Sequence, residues 1–155
     1  PEMGEVCGTR SDSREQVQRV LGDGSALEKL KEMISLQGGD PRVCDDVTLL
    51  PQAKKRIPVA SPAAGWVSSM QADEIGIAAA LLGAGRMKKE DVIDPAVGCW
   101  MKKRIGDQVA EGEPLAVLYV NQETDAEEAA ERIRSAVTVG EDRVKPRDLV
   151  VSVLS

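Results

Sequence analysis

The sequence predicts an α+β fold: an N-terminal helical hairpin, then a barrel-sandwich-like mixed β-sheet domain with an inserted helix and a C-terminal helix and strand. Three observations point there. Over residues 13–37 apolar side chains recur at three- and four-residue intervals, the period of helices with one apolar face. From Lys54 onward the texture changes to short β-like runs cut by prolines and glycines. Between those runs lies ADEIGIAAALLGAGRMKKEDVID (72–94), which holds a short alanine-rich helix, a glycine stop, a mixed-charge run and a turn. The boundary between helical lead and sheet domain is expected at 52/53, giving segments 1–52 and 53–155.

Residues 1–12 show no period. The first helix is expected from Ser13, with Val17, Val20 and Leu21 on one side and Ser13 and Gln16 as a capping box. Gly22-Asp23-Gly24 breaks it. SALEKLKEMISLQ (25–37) predicts a second helix with Ser25 as N-cap and Glu28 three positions on. Leu27, Leu30 and Ile34 form its stripe, while Lys29, Lys31 and Glu32 stay wet. Gly38-Gly39 ends it, because glycine accepts the left-handed conformation that a helix stop needs. Asp40 to Gln52 is a connector opened by Asp40-Pro41. Asp45 and Asp46 are adjacent, so their side chains are expected to diverge as loop residues rather than act as a pair.

Arg56 to Ala60 is a strand that Pro58 confines to an edge or bulge. Residues 61–65 turn, and Trp66 to Met70 continues as a strand. The inserted helix runs from about Asp73 to Leu82, with small residues suited to lying close against a sheet. Val97 to Lys102 is a strand with Cys99 and Met101 on one side. Turns fall within 104–109 and 111–114, and Leu115 to Val120 is the next strand. Thr124 to Val137 is an amphipathic helix with a Thr124–Glu127 capping box and a stripe of Ala126, Ala129, Ala130, Ile133 and Val137. Leu149 to Leu154 predicts a closing strand.

Composition narrows the function classes. The chain has 155 residues and a formal charge of −6, with Trp66, Trp100 and Tyr119 as its aromatics and no Phe. An acidic, aromatic-poor chain is a poor nucleic-acid binder. Cys7, Cys44 and Cys99 are widely spaced, no Cys-x-x-Cys occurs and there is no His, so no metal site is expected and the thiols suit a reducing cytoplasm. No apolar run approaches the ~20 residues of a membrane span, and no signal peptide is visible. The chain starts at Pro1 without Met and is expected to be a piece of something longer.

Two constellations invite chemistry. Gly83-Ala84-Gly85, with Arg86, Lys88 and Lys89 beyond it, has phosphate-loop ingredients. However, these glycines follow a helix, where carbonyls emerge, whereas phosphate cradles use the N–H groups of a helix start. The C-cap reading is therefore the expectation. Arg86-Met87-Lys88-Lys89 resembles the lysine hairpin of biotin- or lipoyl-carrying domains, although no methionine follows the lysine and a helix separates the flanking half-motifs. Without histidine no histidine-based nucleophile pair exists, and Ser68 and Ser69 have no evident activating partner.

Several longer words occur together in order: SALEKLKEMISLQGGD (25–40), GGDP…LLPQA, PAAGWVSSMQADEIGIAAALLGAGR (62–86), KEDVIDPAVG (89–98) and KRIGDQVAEGEPLAVLY (103–119). Together they resemble the C-terminal portion of pyrimidine-nucleoside and thymidine phosphorylases, from about Ser25 to Tyr119 and more loosely beyond. The resemblance implies homodimeric pentosyltransferases that cleave thymidine or uridine with inorganic phosphate, giving the free base and a pentose 1-phosphate. It implies a cleft between a helical and an α/β domain, with 1–52 as the end of the latter. Its phosphate-binding lysine, serine and threonine and its base-binding histidine, arginine, serine and lysine come from a first half with no counterpart here. No catalytic, substrate-binding or metal residue is therefore assigned to this chain, and no cofactor. The expected partner is the remainder of the parent enzyme, in the cytoplasm, with no nucleic acid and no membrane. The chain is expected to be structural and inactive alone. The alternatives are a carrier using Lys88 or Lys89, or a free-standing interaction domain of similar fold.

Overall fold

The computed structural model describes residues 8–146, 150 and 152. The chain divides into two compact units, Pro1–Leu50 and Pro51–Ser155.

The first unit is a pair of helices, α1 (Arg10–Gly22) and α2 (Ser25–Leu36), followed by two short 3-10 turns, Pro41–Cys44 and Val47–Leu49. α1 begins a turn earlier than the Ser13 cap predicted. Thr9 is the N-cap, its hydroxyl accepting from the Asp12 N–H at 3.2 Å, and Ser13 instead bonds through its N–H to the Thr9 carbonyl. Thr9 belongs to the same class of short polar caps as Ser13, and the first such residue that can close a turn wins. Ser25 is likewise not a cap: Gly24, at φ +82°, takes that position, and the Asp23 carboxylate accepts from the Ser25 N–H at 2.9 Å. This left-handed glycine sits in the two-residue break between the helices, a conformation glycine adopts without strain. Gly38, at φ +80°, ends α2 as expected, with the Gly39 N–H reaching the Ile34 carbonyl.

Asp40 and Asp46 each cap a 3-10 turn, accepting from the N–H of Arg42 and Thr48. Asp45 turns away to Lys31 at 2.8 Å, so the adjacent acids do diverge. Lys31 also meets Glu28, and these two carboxylates raise its pKa; it is thus less wet than the periodicity implies.

The second unit holds two three-stranded antiparallel sheets with helices beside them, in keeping with the α+β class the sequence predicts. One has the order β1 (Lys55–Ala60), β5 (Pro114–Val120), β3 (Gly98–Met101). The other has the order β4 (Gln108–Val109), β2 (Gly65–Met70), β6 (Val137–Gly140). Pro58 does sit in an edge strand. In the first sheet Ile57, Leu118 and Cys99 lie side by side, as do Val59, Ala116 and Met101. All six face one core with Ala78, Ala129, Ala130 and Ile133. Those last four come from α3 (Ala72–Ala79) and α4 (Ala126–Ala136), which cover that face. The alanines let the helices lie close against the sheet, as the small residues of the inserted helix predict. A second cluster, Val67, Val109, Leu115 and Val137, joins the other sheet to β5.

β4 and β6 fall where the sequence predicts a turn and a helix end. β4 is two residues long, below what alternation can reveal. Val137 follows the helical stripe but is the first residue of β6, because the chain leaves α4 directly into a strand pairing Met70 with Val137. The expected Thr124–Glu127 capping box is absent: Asp125 is the N-cap and makes no side-chain capping bond. All but Val150 and Ser152 of the predicted closing strand, Leu149 to Leu154, lies outside the described residues.

Candidate functional site

α3 opens with Asp73 and Glu74 in its first turn, where carboxylates suit the positive helix end. It continues into a wider-turned stretch, Ala80–Ala84, in which Gly83 takes φ +98°. That left-handed residue stops the helix and aims its carbonyl at the loop beyond, where the Asp94 N–H donates to it at 2.9 Å.

Asp94 is the hub of this corner. Its Oδ1 accepts from the Ala96 N–H at 2.9 Å, and its Oδ2 accepts from Asn121 Nδ2 at 2.7 Å. Asn121 Oδ1 in turn accepts from the Lys54 N–H at 2.9 Å. The Ala96 N–H first, then Asn121, hold the Asp94 carboxyl below the usual carboxylate range. Asp94, through its backbone N–H and its half-buried carboxylate, thus ties the helix end and the loop 85–97 to Asn121 at the end of β5, which in turn holds the start of β1. Beside it lies a cavity of about 230 Å³ lined by Leu81, Leu82, Gly83, Val92, Asp94 and Asp125, among others.

The chemistry of this corner is wrong for a phosphate. A helix carbonyl end and two carboxylates line it, so an anion would meet repulsion. The next backbone donors along the loop are already used: Asp91 Oδ2 accepts from the N–H groups of Met87 at 2.9 Å and Lys88 at 2.7 Å. Gly83 is therefore a helix stop, as its position after the helix predicted. Arg86, Lys88 and Lys89 are exposed on the loop beyond it.

Nor do Lys88 and Lys89 crown a hairpin. The strands before and after them, β2 and β3, belong to different sheets, with α3 in between. Ser68 donates to the Thr138 carbonyl at 3.2 Å and Ser69 to the Thr138 hydroxyl at 2.9 Å, so both join strands and neither meets a base. Cys44 and Cys99 are free thiols, and burial pushes the Cys99 thiol pKa up, away from reactivity. Cys7 lies outside the described residues. Among the described residues no group of three or more His, Cys, Asp or Glu could hold a metal ion, and no helix is long and apolar enough to cross a membrane.

Further ties lie elsewhere in the unit. Arg132 of α4 reaches Glu74 of α3 at 2.9 Å, and Lys103 pairs with Glu113 at 2.5 Å between the loops that flank β4. The Asp94–Asn121 tie is the feature the sequence did not disclose. Asp94-Pro95 signalled a turn, but nothing linked it to an asparagine 27 positions on.

Residues 66–140 match the model of the pyrimidine nucleoside phosphorylase C-terminal domain. The chain carries the C-terminal domain of the pyrimidine-nucleoside phosphorylase family. The matched span runs from Trp66 to Gly140, two residues that pair with each other across β2 and β6. Similarity extends further than the domain. The chain is 43% identical over 145 residues to a pyrimidine-nucleoside phosphorylase of Bacillus subtilis (strain 168), covering 94% of this chain and 33% of that protein. It is 38% identical over 138 residues to one of Staphylococcus aureus (strain USA300), covering 89% of this chain and 32% of that protein. The chain thus spans about a third of the length of the curated relatives it matches.

Proposed function

We propose that this chain is the C-terminal part of a pyrimidine-nucleoside phosphorylase and serves as the scaffold against which the catalytic lobes are mounted. The parent reaction on this reading is pentosyl transfer: phosphorolysis of a pyrimidine nucleoside to free base and pentose 1-phosphate, within pyrimidine metabolism. Inorganic phosphate is a substrate there and no cofactor is needed. The parent is a cytoplasmic homodimer, and the partner of this chain is the remainder of that enzyme.

The coverage carries the reading: 94% of this chain aligns with a phosphorylase of which it represents 33%. Two further observations support it. The chain has no histidine, although the resemblance implies one in base binding. In the first unit Val17, Leu21, Leu27, Leu30, Met33 and Leu36 are exposed, and no large hydrophobic residue among the described ones is buried. Helices with bare apolar faces call for a covering body, which the rest of the parent supplies on this reading. A two-lobed cleft closes usefully only if its lobes are rigid, and that is the contribution of the brace at Asp94 and the alanine-packed core.

The test is activity. The purified chain, given thymidine or uridine with phosphate, should release no base, while chain produced together with the remaining two-thirds of a parent phosphorylase should.

A further inference from the structure

The two sides of the β1–β5–β3 sheet are unlike. One is covered by α3 and α4; on the other, Leu115 packs against the second sheet, and beyond it the rows through Val117 and Tyr119 are left open. Cross-strand register puts Arg56, Tyr119 and Gly98 in one row of the open side and Pro58, Val117 and Trp100 in the next. Trp100 is 55% exposed there, and Tyr119 and Val117 are half-buried beside it. Along β3 runs a groove of about 330 Å³ bounded by Ala96, Gly98, Trp100 and Tyr119, among others. One of the two tryptophans and the single tyrosine of an aromatic-poor chain therefore share one surface.

Charge marks the same surface. Two basic triplets, 54–56 and 102–104, bracket the sheet in a chain of net charge −6. The middle residue of each is neutralised, Lys55 by Glu123 and Lys103 by Glu113. The two that belong to the open side are not. The Arg56 guanidinium lies 5.3 Å from the Tyr119 ring centre, and Lys102 Nζ lies 3.2 Å from that of Trp100. Among the described residues neither forms an ion pair with a carboxylate. Each cation rests on a ring face, which holds it in place while leaving its charge uncompensated. Strand spacing and rise put the Cα atoms of the two residues roughly 16 Å apart across the sheet.

We propose that this open face docks an acidic segment of a partner protein, with an apolar side chain seated on Trp100, Val117 and Tyr119 and carboxylates meeting Arg56 and Lys102. Charge complementarity selects that occupant. A nucleic-acid strand brings a charge at every phosphate, more than two cations can meet, whereas an acidic peptide needs only two carboxylates at the right separation. This inference is independent of the phosphorolysis reading, since it uses only the sheet face.

The probe is a fluorescein-labelled peptide of about ten residues alternating glutamate and valine, titrated against the whole chain by anisotropy. Binding should weaken several-fold as salt rises from about 50 to 300 mM, a span over which the Debye length shortens severely. Arg56→Glu with Lys102→Glu should weaken it about tenfold or more, and the counterpart peptide with lysine for glutamate should not bind. Trp100→Ala should weaken binding while preserving its salt dependence. Circular dichroism and melting confirm that each variant is folded, and Arg56→Gln with Lys102→Gln replaces the charge reversal if that variant is not. Equal affinity of a folded charge variant, or equal binding of the lysine peptide, overturns the proposal. So does tighter binding of an oligothymidylate of similar length, or self-association through Trp100 in sedimentation.

Discussion

Replacing Asn121 with alanine should loosen the corner where α3 ends. The side chain makes two hydrogen bonds: it donates to Asp94 Oδ2 at 2.7 Å and accepts from the Lys54 N–H at 2.9 Å. A hydrogen bond to a charged group contributes about 1.5–3 kcal/mol and a neutral one about 0.5–1.5. The corner is half-buried, so water replaces part of each, and the expected loss is about 1–3 kcal/mol. At about 2–4 °C per kcal/mol for a chain of this size, a mid-range loss lowers the melting temperature by roughly 4–8 °C. The assay is denaturant unfolding monitored by circular dichroism, with Asp94→Asn and the double variant completing a cycle.

The pH dependence adds an internal check. Asp94 titrates lower folded than unfolded, so its bonds contribute fully above the unfolded value of about 3.9 and are lost as pH falls through the folded one. The gap between the native chain and Asn121→Ala should therefore narrow below about pH 4. Unchanged unfolding midpoints near neutral pH, with no coupling to Asp94→Asn, would refute the claim that this tie anchors the helix end.

Core packing, strand pairing and acid titration can each be perturbed separately. Ile133→Ala removes three fully buried carbons between α4 and the sheet and should cost about 3–4 kcal/mol in the same unfolding assay, from lost transfer energy plus a cavity. Gly65→Ala would push a methyl group into the Gly140 carbonyl and to 2.9 Å from Val139 Cγ1, so it should cost about 1–3 kcal/mol by forcing β2 and β6 apart. A glycine with open space around it, Gly76, is the control. Acid should destabilise the whole chain: Asp23, Asp40, Asp46, Asp94 and Glu113 all have lowered carboxyl pKa values. The folded state then binds fewer protons than the unfolded one at low pH, so melting temperatures should fall as pH drops below about 4. A flat or rising acid limb would contradict this.

Where sequence and structure agree, the signal was local or periodic. The alanine stripe of α4 repeats over three turns and buries as a set. Pro58 lacks an N–H, and β1 is an edge strand for which that costs nothing. Gly83 follows an apolar helix, and its left-handed backbone stops that helix. Where they part, several candidates of equal local merit competed or the partner lay far away. Thr9 and Ser13 are both competent caps one turn apart, and only the folded chain chooses. Val137 continues a helical stripe but is drawn into a ladder by Met70, which periodicity cannot see. Asp94 and Asn121 meet across 27 positions, with three strands between them. The bracketing of Trp100 and Tyr119 by two basic triplets appears only once cross-strand register is known.

The central claim is that this chain is a scaffold whose chemistry resides in the rest of a phosphorylase. It is tested most directly by incubating the purified 155-residue chain with thymidine or uridine and inorganic phosphate and measuring free base by chromatography. Release indistinguishable from the protein-free blank is the expected result. Catalysed release of thymine or uracil, dependent on phosphate and proportional to chain concentration, would contradict it.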